Sequence, residues 1–156
     1  MRTSFLLPSS FKKPGWIIFI TGLLGGFYWL LIDSEPQWSE VNVLIIYLDE
    51  IFNRPQWFTI LKNPLFDEVV SILIIIGGIM VAFSREKIED EYVAKIRLES
   101  LVWAVYFNYL VLLMTITLVY GITFFYVLVF NMFTLLFFFI IRFRWLMWKN
   151  SQNSEL

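Results

Sequence analysis

The chain of 156 residues has no cysteine and no histidine. Without histidine it lacks an imidazole for haem or zinc ligation and for general-base catalysis, and without cysteine it lacks thiolate and disulfide chemistry. It has no glycine-rich phosphate loop after a strand and no nucleophile elbow, and its net charge of -1 argues against nucleic-acid binding. We therefore expect a protein that is not an enzyme, with no catalytic residues and no cofactor or metal site.

Charged residues are scarce, at 16% of the chain, whereas hydrophobic residues reach 59%. A soluble domain is nearer about 45 to 50% apolar, so lipid must solvate much of this chain. Because lipid offers the backbone no hydrogen bonds and about 20 helical residues cross a bilayer, long apolar runs predict transmembrane helices. The sequence predicts a single all-α integral membrane domain over residues 1–156, with four spans at about 16–32, 64–83, 101–120 and 122–141.

The cationic residues are unevenly distributed along the chain. Ten of the twelve lysines and arginines lie before the first span, between the second and third spans, or after the fourth. The positive-inside rule then places both termini and the 84–100 segment in the cytoplasm. We expect a multi-pass protein of the bacterial inner (plasma) membrane, with an extracytoplasmic loop over residues 33–63.

The 33–63 loop carries apolar residues at helical spacing. This spacing predicts an amphipathic interfacial helix over residues 40–52, with Ser39 as its N-cap. We expect this helix to lie on the outer membrane surface, where aromatic side chains would hold it: Trp38, Trp57 and Phe58. Alternatively, it caps the bundle or contacts a partner.

Capping residues predict where the second and third helices start. Asn63 followed by Pro64 is typical of an N-cap with proline at the first helical position, so the second span is expected to begin near Pro64. Ser84 is the best N-cap candidate after the second span. One long third helix is therefore expected from about residue 87 to residue 119.

The segment FSREKIEDEYVAKIRLES, residues 83–100, carries nine charged side chains. We expect its helical part, residues 86–99, to extend the third helix into the cytoplasm and to present an apolar stripe to a partner: Ile88, Tyr92, Val93 and Ile96. Three carboxylates would share one helical face, either as an ordinary solvated surface or as a weak divalent-cation site: Glu86, Glu89 and Asp90.

Small and polar residues within the spans predict how the helices pack. Small residues four apart on the first two spans allow close helix approach: Gly22 and Gly26, with Gly78 and Ala82. A single glycine, Gly121, separates the last two spans and predicts a tight hairpin. Three polar residues in that hairpin are expected either to bond the two helices together or to line a polar path: Asn108, Asn131 and Thr134.

Basic and aromatic residues alternate after the fourth span. They are expected to anchor the chain among headgroups, with a preference for anionic lipid as the alternative: Arg142, Arg144, Trp145, Trp148 and Lys149. No carboxylate lies near the centre of a span, which argues against proton- or cation-coupled transport. The small multidrug transporters, which depend on an acidic residue in the first helix, are set aside for that reason.

Four short segments carry a resemblance to known proteins: SREKIEDEYVAKIRLES, WAVYFNYLVLLM, FNMF and IIRFRW. Over about residues 83–148 the chain resembles a group of small uncharacterised bacterial four-span membrane proteins. The resemblance implies at most a signalling or stress-linked role. It assigns no activity and no functional residues.

These patterns lead to three hypotheses of function. The first is a non-enzymatic inner-membrane interaction, regulatory or accessory protein, whose charged cytoplasmic helix docks a membrane or cytoplasmic protein. The alternative is a small homo-oligomeric channel or transporter for a neutral or weakly polar solute, in which Tyr106 and Tyr109 would accompany the asparagines. The third is a lipid-handling or membrane-enzyme accessory subunit, whose aromatic surface would contact the acyl chains of membrane lipid.

Overall fold

A computed structural model describes residues 6–32, 36, 39–48 and 55–153 of the chain, with side chains described up to residue 150. Its elements, in chain order, are helix α1 (Lys12–Ile32), strands β1 (Glu40–Leu48) and β2 (Gln56–Pro64), and helices α2 (Phe66–Phe83), α3 (Glu91–Leu118) and α4 (Ile122–Asn153). All four helices are long and apolar enough to cross a membrane. The prediction of four long apolar helices is confirmed, whereas the all-α class is wrong because a two-stranded sheet is also present.

Helices α1 and α2 pack antiparallel through glycines. Gly22 lies against Ile74, and Gly15, near the other end of α1, lies against Met80. At Gly77 the helices meet backbone to backbone, because a Cβ there would lie 2.5 Å from the Phe19 nitrogen. Gly78, predicted to pack between the first two spans, lies against both Phe19 of α1 and Leu136 of α4.

Helices α3 and α4 form the tight hairpin that Gly121 predicts. Gly121 has a φ of 77°, the left-handed conformation that glycine adopts without strain. Farther along the hairpin, the rings of Phe107 and Phe138 stack at 4.4 Å between centroids. Phe139 of α4 stacks on Phe83 of α2 at 5.6 Å, so α4 contacts both neighbouring helices and completes the core.

The interfacial helix expected over residues 40–52 is wrong, because residues 40–48 form β1, which pairs antiparallel with β2. Branched residues such as Val43 and Ile45 favour a strand, and short apolar runs fit either period until a pairing partner is known. Tyr47 and Trp57 pack edge to face across the hairpin at 4.9 Å. Residues 49–52 and Trp38 lie outside the described residues.

Three expected helix boundaries also differ from the structure. Pro64 ends β2, and α2 begins at Phe66. Helix α3 begins at Glu91 rather than near residue 87, because Asp90 is the N-cap and its side chain accepts a hydrogen bond from the Val93 nitrogen at 2.8 Å. Helix α4 continues to Asn153, beyond the expected end of its apolar run at residue 141.

Candidate functional site

Three basic segments of the chain meet at one end of the helix bundle. The segment before α1 pairs with the connection after α2, since the Leu7 nitrogen donates to the Phe83 carbonyl at 2.9 Å and the Arg85 nitrogen donates to the Leu7 carbonyl at 3.0 Å. The last turns of α4 reach the same end through Arg144, whose guanidinium lies 5.3 Å from the ring centre of Trp16 in α1. We call this region the basic end.

Glu86 joins the elements of the basic end. Its carboxylate pairs with Lys12 at the start of α1 and lies 3.9 Å from the guanidinium of Arg144 in α4. Only 13% of the Glu86 side chain is exposed, so these pairs are less screened by water than surface pairs are. The connection between α2 and α3 is therefore held to both α1 and α4.

Arg97, in α3, contacts both ends of the same connection. Its guanidinium makes two contacts with the Glu89 carboxylate, one of them 3.2 Å long, and donates to the Ser84 carbonyl at 3.5 Å. It also lies 5.1 Å from the ring centre of Phe143 in α4. Because 9% of the Arg97 side chain is exposed, this is a nearly buried ion pair.

The three carboxylates suggested as a weak cation site each have another partner. Glu86 binds Lys12 and Arg144, Glu89 binds Arg97, and Asp90 caps α3. Within the described ranges, no three acidic side chains gather where they could hold a metal ion.

The expected partner-binding stripe is divided between the core and the surface. Val93 and Ile96 are each only 5% exposed and belong to the protein's own core, so they do not present an apolar stripe. Ile88 and Tyr92 are 78% and 51% exposed, and Leu98, which the sequence analysis did not select, is also exposed. Together with the charged residues between them, these define the 87–99 surface: Lys87, Ile88, Glu91, Tyr92, Lys95, Leu98 and Glu99.

A shallow groove of about 770 Å³ borders the 87–99 surface. Ser9 and Ser10 line it with their hydroxyl groups. Four cationic side chains and one carboxylate also line it: Lys12, Lys13, Arg85, Lys87 and Glu86. We call it the basic groove. From the sequence, these cations indicated only the orientation of the chain in the membrane. Their proximity depends on the pairing of Leu7 with Arg85, which the sequence does not show.

The polar residues inside the helices do not bond to one another. Asn108 Oδ1 and Asn131 Nδ2 are buried and have no hydrogen-bond partner in the described part of the chain. The Thr134 hydroxyl donates to the Phe130 carbonyl of its own helix at 3.3 Å. The stack of Phe107 on Phe138 places Asn108 about one turn away from Thr134 along the hairpin.

The residues expected to anchor the chain among headgroups all lie on α4. The Arg142 guanidinium lies 5.0 Å from the Trp103 ring centre, and the Lys149 ammonium lies 5.8 Å from the Trp145 ring centre. Trp145 and Trp148 are exposed. Arg142 and Arg144 therefore also hold α3 and α1, respectively, through aromatic rings.

No family model, no curated protein and no solved structure matches this chain. The resemblance to small four-span bacterial proteins therefore stays a prediction.

Proposed function

We propose that this protein is a non-enzymatic, multi-pass protein of the bacterial inner membrane that docks a partner protein at its basic end. The observation that carries the proposal is the 87–99 surface. Ile88, in the connection after α2, and Tyr92, in the first turn of α3, are both exposed there. The Arg97–Glu89 pair holds this part of the backbone in place. Exposed apolar side chains on a fixed backbone favour binding, because little conformational entropy is lost when a partner docks. By the positive-inside rule, this end and both termini face the cytoplasm.

The basic groove specifies the chemistry of the partner. It has four cationic side chains and one carboxylate, and that carboxylate, Glu86, is already paired with Lys12 and Arg144. The remaining positive charge complements an acidic segment. Ile88 and Met147 also line the groove, so the segment we propose has an apolar residue beside its acidic ones.

Site-specific photocrosslinking in cells tests this proposal. We expect benzoylphenylalanine in place of Tyr92 to capture a discrete protein partner, and the adduct to be lost when Lys13→Glu and Lys87→Glu reverse the charge of the groove. Tyr106 is the matched control, because it is an exposed tyrosine on the same helix outside the 87–99 surface. Identical adducts from Tyr92 and Tyr106, or lipid and unrelated abundant proteins alone, would overturn the proposal.

A homo-oligomeric channel or transporter for a neutral or weakly polar solute is the second candidate. It is supported by the buried amide atoms of Asn108 and Asn131, which have no partner in the described residues and which a polar path would supply with water or solute. Flux of a small neutral solute into proteoliposomes tests it. Flux that is unchanged when both asparagines become leucine would contradict this candidate.

A further inference from the structure

A second cavity lies in the half of the bundle that is remote from the basic end. It is a cleft of about 530 Å³ between α1, α2 and α4, with apolar residues such as Val70, Ile74 and Phe133 along its floor. Its rim is exposed on both sides, at Phe27 of α1 and at Val129 of α4. These rim residues lie on helices long and apolar enough to cross a membrane, so in a bilayer the cleft would open sideways toward lipid.

The cleft has one polar end. Asp67 and Ser71 line it from the first two turns of α2, one turn apart. Among the described residues, neither side chain has a hydrogen-bond or ion-pair partner. The rest of the lining is apolar or aromatic, so the cleft has a carboxylate at one end and an apolar interior.

The length of the cleft matches one leaflet of a bilayer. Along α4 it extends from Tyr126 to Phe137, which is about 16 Å at about 1.5 Å per residue. The hydrocarbon core of a bilayer is about 30 Å thick, so this is close to the depth that one acyl chain occupies. The volume also lies within the range of about 300 to 1,000 Å³ that is typical of ligand pockets.

We propose that the cleft binds a membrane phospholipid with an amine headgroup, whose acyl chain occupies the apolar part and whose ammonium group pairs with Asp67. Transfer of an acyl chain from bilayer to cleft gains little, since lipid tails are as apolar as the lining. Selectivity therefore comes from the headgroup. An ammonium group pairs strongly with a carboxylate at a boundary of reduced dielectric, whereas an anionic headgroup is repelled.

Native mass spectrometry of the full-length protein in detergent tests this binding. The titrating lipids are phosphatidylethanolamine, phosphatidylglycerol with the same acyl chains, and N-acetylated phosphatidylethanolamine, which keeps the phosphate but loses the cation. We expect the amine lipid to bind about tenfold more tightly than the other two, as one charge-assisted hydrogen bond provides. Equal binding of the three lipids would overturn the proposal without requiring any variant.

Two variants test the two parts of the cleft separately. Asp67→Asn should reduce amine-lipid affinity about tenfold to the level of phosphatidylglycerol, whereas Glu40→Gln, an exposed acid on the hairpin, should leave it unchanged. Val129→Trp should block the mouth and lower the affinity for all three lipids, while Val102→Trp on the exposed surface of α3 should not. Retained headgroup selectivity in Asp67→Asn, or unchanged binding in Val129→Trp, would contradict the proposed site.

Discussion

At the scale of single residues, Arg97 shows why the polar segment after α2 is not simply an exposed extension of α3. Its guanidinium contacts Glu89, the Ser84 carbonyl and the ring of Phe143, so one side chain connects α3, the preceding connection and α4. A guanidinium suits this position because its planar fork makes two contacts with a carboxylate while its face lies over an aromatic ring.

Replacing Arg97 with methionine should therefore destabilise the fold. Glu89 would keep its largely buried charge without a cation, and breaking such a pair costs about 3 kcal/mol in the free energy of unfolding. Denaturant unfolding in mixed micelles measures the loss. Lys95→Met, at an exposed position of the same helix, is the control and should change stability little. The double variant Arg97→Met with Glu89→Met should recover part of the loss; no recovery would mean that the pairing is not its cause.

Gly77 provides a second prediction at the residue scale. A Cβ at this position would lie 2.5 Å from the Phe19 nitrogen and 2.7 Å from its Cα, so α1 would have to move away as a whole. Overpacking of this kind costs about 2 kcal/mol, and Gly77→Ala should lower the unfolding free energy by that amount. Gly26→Ala is the matched control, because its Cβ would lie 3.5 Å from Val70, an ordinary contact. Equal stability of the two variants would contradict the close approach of α1 and α2.

At the scale of secondary structure elements, the sequence predicted the four apolar helices. It missed the two strands, which depend on pairing with each other. Four apolar runs predict four helices because the backbone has no other hydrogen-bond partner in a bilayer. Residues 40–48 form the strand β1 rather than the predicted helix, because a short apolar run fits both the helical and the strand period and the choice depends on the partner strand β2.

The start of α3 and the candidate site were also not predicted, because both depend on contacts between residues that are distant in the sequence. Ser84 and Asp90 are both good N-cap residues. Ser84 is unavailable, because its hydroxyl donates to the Met80 carbonyl and its backbone forms a bridge with Leu7. The contact of Lys12 with Glu86 likewise joins residues 74 positions apart, and no local pattern in the sequence predicts it.

The β-hairpin itself can be tested by crosslinking. Since the natural chain has no cysteine, Leu44→Cys and Ile60→Cys add the only two thiols, at positions that face each other in the register of β1 and β2. Both positions are exposed, so a short bifunctional maleimide should link them rapidly. Leu44→Cys with Leu61→Cys is the control, because it is shifted by one residue and the side chains point to opposite faces. Faster linkage in the control pair would contradict the observed register.

At the scale of the whole molecule, the two ends of the bundle differ in charge and in the class of ligand they suit. The basic end gathers cations from the first turn of α1, from the connection after α2 and from the end of α4. The opposite half holds the apolar cleft, with Asp67 at its boundary. The partner proposed for the basic end and the lipid proposed for the cleft would therefore not compete, because the two surfaces share no residue.

The orientation of the molecule is tested by labelling single cysteines with a membrane-impermeant maleimide. Lys13→Cys, Lys87→Cys and Lys149→Cys should react only in inverted vesicles, whereas Lys62→Cys on the hairpin should react from outside intact spheroplasts. The contacts of Glu86 with α1 and α4 hold the first three positions at one end of the bundle. Labelling of all three from outside would reverse the proposed orientation while preserving the fold. Labelling of Lys87→Cys and Lys149→Cys from opposite sides would contradict the bundle itself, since no membrane could then lie across its four helices.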